Sequence, residues 1–259
     1  MGNLFISKLL SPEDMRQVCA QTGAGVELIQ FAVADNLDDP DGAIRSVRQA
    51  LASYDATPEL TVHGPFLDLN LATWDSCVLQ ATRLRFSLAY DAARAVGAKK
   101  IVFHTGFYPH ANFLQGWPER AVDFFRAFMK ERDDLEVVLE NLFDPLPEPL
   151  LAVYEGVGHP RFRLCLDIGH AHCYSRVPVT EWVKKLLPAL DHIHVHDNRG
   201  FDPLSERPDQ HLALGAGTMP LDDVFATLRA RLDLTYTIEC NTPADALRSW
   251  ARLKAEGLV

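Results

Sequence analysis

Six ionisable side chains stand at the ends of apolar runs, where a packed strand would carry Val or Leu. They are His63 in TVHGPF, His104 in IVFHTG, Glu140 in VVLEN, Asp167 in LCLDIGH, His194 in HIHVHD and Glu239 in YTIEC. Three more candidates follow closely: His170, three residues after Asp167, and the pair Asp209 and His211 in RPDQHLALGAGTM. Taken singly, each has an ordinary explanation: a strand-end His more often makes a core hydrogen bond than a metal bond, and a D-x-H pair on a loop is usually solvated. Taken together they pose an electrostatic problem. A buried, unpaired carboxylate is costly or takes up a proton, so carboxylates and imidazoles converging on one face require cations between them. Imidazole nitrogen and carboxylate oxygen without thiolate suit Zn, Mn, Co or Fe. An open position on such an ion activates water or polarises a carbonyl or phosphoryl oxygen.

The nine residues converge only if the runs that carry them are neighbouring parallel strands. LFISKLL, VELIQF, LTVHG, KIVFHT, LEVVLEN, FRLCLDIG, HIHVHD and TYTIEC are short, apolar and rich in β-branched residues, which reads as strand. Between them lie helical patterns: SPEDMRQVCAQTGA opens with a Ser cap, and DSCVLQATRLRFSLAYDAARAVGA repeats apolar residues every three or four positions before a closing Gly. Eight strands alternating with eight helices in 259 residues predict an α/β fold, a (β/α)8 TIM barrel with its chemistry at the C-terminal ends of the strands. A doubly wound open sheet shares that alternation. Two connections are longer than usual, ADNLDDPDG after the second strand and Asp197 to Met219 after the seventh. Long irregular connections in a compact domain serve as lids or parts of sites, and the D-x-H pair lies in the second of them.

An apolar content of 47% without a low-complexity or polar linker predicts a single domain over residues 1–259. The net charge of −10 argues against nucleic acid and anionic membranes as partners and leaves a small molecule. No segment approaches the roughly 18 apolar residues of a membrane span. The apolar stretch in MGNLFISKLLSPED is too short for a signal peptide, so a cytoplasmic location is expected. Five dispersed cysteines without a C-x-x-C pair point to reduced thiols.

The pieces VHGPF, FHTG, LDIGH, HIHVHD and DQHLALGAG resemble the xylose isomerase-like TIM-barrel superfamily, which includes the endonuclease IV group of AP endonucleases and the sugar epimerases. The resemblance implies up to three Zn2+ ions. His63, His104 and Glu140 would hold the first, with Glu140 bridging to a second held by Asp167, His194 and Glu239. His170, Asp209 and His211 would hold the third. Strand alternation puts His194 and His196 on one face, and the motif selects His194 as the ligand. His172 and His192 match no ligand position and are expected around the ligands or at the surface. The chain departs from the endonuclease pattern D-x-C-H-x-x-x-x-G-x-D, since LDIGHAHCYSR keeps only Asp167 and His170.

The resemblance further implies a metal-dependent phosphoester or phosphodiester hydrolase acting on a small phosphorylated metabolite or nucleotide-like substrate. Three divalent ions against four carboxylates leave positive charge for an anionic group. Glu140 and Glu239 are the expected catalytic groups, and Arg199 and Phe66 the expected substrate contacts. The alternative is a sugar or sugar-phosphate isomerase or epimerase, with one Mn2+ or Co2+ on Glu140, Asp167, His194 and Glu239 and the two glutamates moving the proton. A noncatalytic metal-dependent binding module is a third reading. Nothing in the sequence bears on oligomeric state.

Overall fold

The computed structural model describes residues 2–109, 111–204 and 208–259. Eight parallel strands, β1 (Leu4–Ser7), β2 (Gly25–Leu28), β3 (Leu60–His63), β4 (Lys100–His104), β5 (Glu136–Glu140), β6 (Phe162–Asp167), β7 (Leu190–Val195) and β8 (Thr235–Ile238), pair in sequence order. The first also pairs with the last, Phe5 opposite Thr237, so the sheet closes and the open-sheet alternative falls.

The helices are α1 (Pro12–Thr22), α2 (Pro40–Leu51), α3 (Ser76–Val96), α4 (Trp117–Met129), α5 (Glu148–Val157), α6 (Ile168–Tyr174), α7 (Val179–Leu186), α8 (Leu221–Leu228) and α9 (Pro243–Ala255). Local chemistry sets their ends. The Ser11 hydroxyl accepts from the Asp14 amide at the start of α1, and Asp75 accepts from the Cys77 and Val78 amides at the start of α3. Gly97 closes α3 at φ 83°, a left-handed conformation that disfavours a side chain.

The expected eight helices become nine α-helices among the described residues, because β6 is followed by two. Asp167 caps α6 directly from the strand end, and the extended backbone at Ser175 and Pro178 separates it from α7. The run VELIQF is likewise not strand throughout. β2 stops at Leu28, and two 3-10 turns, Gln30–Ala32 and Ala34–Leu37, follow, held in part by the Asn36 side-chain amide donating to Gln30 O.

Apolar packing lies mainly between strands and helices, where Phe86 stacks on Phe103 at 4.0 Å and Phe124, Phe125 and Phe128 surround them. The barrel axis differs from the usual layers of branched aliphatic residues. Val102, Val138 and Cys165 form a small apolar cluster of their own, while Glu27, Thr61, His192 and Thr237 are buried and polar. No described helix is long and apolar enough to cross a membrane. All five cysteines are free.

Candidate metal centre at the barrel mouth

His63, His104 and Glu140 end adjacent strands, and the pairing register sets His104 opposite Glu140. His63 Nε2 lies 3.1 Å from His104 Nε2, which lies 3.1 Å from Glu140 Oε2; His63 Nε2 is 3.6 Å from the same oxygen. Ligand atoms 2.0–2.1 Å from a tetrahedral zinc ion lie about 3.3 Å apart, so this triangle has the dimensions of one face of such a site. Two further observations fit an ion. His63 Nδ1 is 2.9 Å from the Gly64 carbonyl, so it donates there and leaves Nε2 unprotonated toward the triangle. Glu140 Oε2 is buried and accepts no hydrogen bond among the described residues.

The other Glu140 oxygen turns to the next group. His194 Nδ1 is 3.1 Å from Glu140 Oε1 and 3.5 Å from Glu239 Oε1. Asp167 is the register partner of His194, but its carboxylate faces His196 Nε2 at 3.1 Å and His170 Nδ1 at 3.5 Å. It therefore joins the second group to the third. Cys165 lies beside His194, yet burial pushes its thiol up to about 12, so it keeps its proton and is no thiolate ligand.

The third group depends on the long connection after β7. Asp197 pairs with Leu212 through two backbone hydrogen bonds of 2.8 and 2.9 Å, and its carboxylate accepts from the Gly215 and Gly217 amides at 2.9 Å. A Cβ on Gly217 would lie 2.3 Å from Asn198 O, so the fold-back requires glycine there. This turns the segment over the mouth and answers why a D-x-H pair sits on a loop. Asp209 Oδ2 is 3.2 Å from His170 Nε2 and 3.0 Å from His211 Nε2. His211 Nδ1 donates to Glu239 O at 3.0 Å, and Asn198 Nδ2 donates to Asp209 Oδ1 at 3.0 Å.

All nine side chains singled out in the sequence are thus linked by contacts of 3.7 Å or less. The choice between His194 and His196 takes a different form in the structure, because both are buried in the cluster. His194 turns to Glu140 and Glu239, whereas His196 turns to Asp167 and Asp209 and stacks on His211 at 3.9 Å. Phe66 packs at the edge of the first group, its ring 4.6 Å from that of His104. Arg199 is exposed and makes no ion pair among the described residues. His172 meets Thr218 Oγ1 at 3.1 Å.

Glu27 is the functional candidate the sequence did not yield. It is fully buried on β2, accepts from Thr61 Oγ1 and Thr237 Oγ1 at 3.0 Å each, and lies 3.1 Å from His194 Nε2 and 3.3 Å from His192 Nε2. A proton on His194 Nε2 directed at Glu27 leaves Nδ1 free to face Glu140 and Glu239. His192 is not at the surface but buried against Glu27, with its Nδ1 2.6 Å from Thr235 Oγ1. Carboxylates that orient a ligating imidazole in this way typically contribute 10–100-fold to metal affinity. Glu27→Gln should therefore lose about 10–100-fold in zinc affinity, measured by competition with a chromogenic chelator, while keeping its circular dichroism spectrum. Wild-type affinity in that variant would reduce Glu27 to barrel filling.

The charges explain why protons or metal ions must occupy the mouth. Burial alone would raise Glu140, but His194 and His104 hold it well below the usual carboxylate range; burial opposes Asp209 too, and His170 and His211 hold it low. Burial would lower His170 and His194, but the surrounding carboxylates lift both well above the usual imidazole value. His211 rises to about 9 against its burial, through Asp209 and Glu239. A raised value means a ring protonated at neutral pH in the ion-free protein, and a ligating nitrogen must lose that proton. Zinc affinity should then climb as pH rises toward 9 and weaken below neutrality. Calorimetric titrations at pH 7 in buffers of different ionisation enthalpy should report more than one proton released per chain; zero release would contradict the assignment.

A family model described as xylose isomerase-like TIM barrel matches residues 17–256. A probable endonuclease 4 of Mycobacterium ulcerans is 26% identical over 241 residues, covering 88% of this chain and 89% of that protein. Among solved structures, the TTHB071 protein of Thermus thermophilus, soaked with ZnCl2, is 27% identical with a TM-score of 0.78 over 98% of both chains. A D-tagatose 3-epimerase-like protein superposes with the same TM-score over 98% of this chain and 97% of its own, at 23% identity, a likeness of fold.

Proposed function

The chain belongs to the xylose isomerase-like TIM-barrel family, and within it we propose a metal-dependent phosphoester hydrolase that acts on a small phosphorylated metabolite or nucleotide-like substrate. The observation that carries this reading is the third group. His170, Asp209 and His211 meet through one carboxylate oxygen, 3.0 and 3.2 Å from the two Nε2 atoms, beside a centre already furnished with Glu140, His194 and Glu239. Proton transfer on a sugar needs one ion and two glutamates and leaves this group without a purpose. Ions in all three groups leave a surplus of positive charge even over five carboxylates, Glu27 beside His194 included, which favours an anionic substrate.

Up to three Zn2+ would be held by His63, His104 and Glu140, by Glu140, Asp167, His194 and Glu239, and by His170, Asp209 and His211, and would supply Lewis acidity toward a phosphoryl group and acidify water. The chain's own residues do the rest. Glu140, with no exposure, fixes four imidazoles around itself. Glu239 is 7% exposed at the mouth, where its carboxylate can orient an attacking water and take its proton. Phe66 closes one side of the mouth, and Arg199 offers a cation to a phosphate oxygen. The net charge of −10 speaks for a small substrate over a DNA duplex.

The epimerase reading retains one specific support, the placement of Glu140 and Glu239 on the same His194 nitrogen. Protein loaded with zinc, and separately with Mn2+ or Co2+, separates the two. Release of nitrophenolate from bis-p-nitrophenyl phosphate without ketohexose interconversion is the expected result. Interconversion without cleavage would replace the hydrolase by the epimerase.

A further inference from the structure

We propose that the mouth binds a flat aromatic group on the nonreacting part of the substrate, against a wall of rings that starts at the third ligand group. This rests on the hydrolase reading only for the bond that is cleaved. The Tyr174 ring lies 6.3 Å from that of His170; Phe143 lies 4.8 Å from Tyr174, Tyr108 lies 5.7 Å from Phe143, and Phe201 lies 6.2 Å from Tyr174. The four rings come from four different segments, those after β4, β5, β6 and β7, all at the C-terminal face of the barrel. Such convergence is not a by-product of one loop's packing.

The rings also face water. Tyr108, Phe143 and Tyr174 are half-buried and Phe201 is 60% exposed, although the barrel has ample core in which to bury them. Among the described residues, every strongly exposed large apolar side chain except Leu84 and Leu232 lies on the loops that surround the mouth. A run of ring contacts that leads from His170 out to the exposed Phe201 is the kind of partly exposed aromatic surface that marks a binding site, and its continuity with the ligand cluster assigns it to the substrate of that cluster. Aromatic rings offer faces and edges to a planar π-system. An aryl or nucleobase-bearing phosphoester fits such a mouth.

The test uses the zinc-loaded full chain and two pairs of probes. By calorimetry, phenylphosphonate should bind about tenfold more tightly than methylphosphonate, the scale of one stacking contact. The ratio should collapse toward one in Phe143→Ala/Phe201→Ala, and fall part of the way in Phe201→Ala, whose exposed ring leaves little packing behind. In turnover, p-nitrophenyl phenyl phosphate should outrun p-nitrophenyl methyl phosphate by a similar factor in kcat/KM, with the same leaving group in both. Equal affinities for the two phosphonates, or a preference that survives both variants, overturns the wall whether or not the esters are cleaved. A phenyl preference without cleavage of either ester overturns the hydrolase reading and leaves the wall standing. Concentration-dependent dimerisation that removes the phosphonate preference would assign the rings to a second copy of the chain and overturn the proposal.

Discussion

Replacing Glu140 by Gln should lower kcat/KM for bis-p-nitrophenyl phosphate by about a thousandfold or more and reduce bound zinc. Glu140 is wholly buried and touches His63 at 3.6 Å, His104 at 3.1 Å, His170 at 3.5 Å and His194 at 3.1 Å. One oxygen faces the first group and the other faces the second, so the single substitution weakens two ions at once. Gln keeps the volume and removes the charge, which separates loss of ligation from loss of packing. The ion-free protein should suffer as well, since protonated imidazoles lose a buried counter-charge, a change worth about 3–5 kcal/mol. Unaltered zinc content and turnover in Glu140→Gln would remove it from the centre.

The second large effect is expected at Asp209. Its carboxylate is the point where His170 and His211 meet, and it is reached only because the connection after β7 folds back through Asp197. Asp209→Asn keeps the shape, and its side-chain oxygen can still accept from Asn198, but it loses the negative charge. A fall of about 100- to 1000-fold in phosphodiester cleavage, with one of three zinc ions lost, is the outcome for a third ion that takes part in hydrolysis. An epimerase working on Glu140 and Glu239 would keep its sugar interconversion in this variant. Intact phosphodiester cleavage in Asp209→Asn leaves the third group without a catalytic part.

Much of this architecture was legible in the sequence, because alternating strand and helix patterns state the barrel and charged residues at strand ends state the mouth. His63, His104, Glu140, Asp167, His194 and Glu239 stand out together, since one strand-end ionisable group is ordinary but six in successive strands converge on one face and need compensating charge. The D-x-H pair was legible as chemistry, but its position was not, because it depends on hydrogen bonds that the Asp197 carboxylate accepts from the amides of glycines eighteen and twenty residues further on. Glu27 escaped for a geometric reason. VELIQF reads as strand up to Phe31, which makes Glu27 an early polar residue of a long strand, whereas β2 stops at Leu28 and sets Glu27 near the C-terminal end inside the barrel. His196 is likewise a matter of depth, for alternation puts it on the inner face and only the fold shows it against Asp167 and Asp209. The division into α6 and α7 follows from a cap that coincides with a candidate ligand, Asp167, and a single residue serving two purposes leaves no separate helix signal.

The central claim is that these carboxylates and imidazoles hold ions, and metal analysis joined to anomalous diffraction at the zinc edge tests it most directly. Protein purified without chelator and crystallised with zinc should show three peaks at the C-terminal mouth: one by His63 and His104, one by His194 and Glu239, and one by His170 and His211, with Glu140 between the first two. A mouth without anomalous signal in zinc-saturated crystals, its imidazoles and carboxylates bonded only to one another, would contradict it.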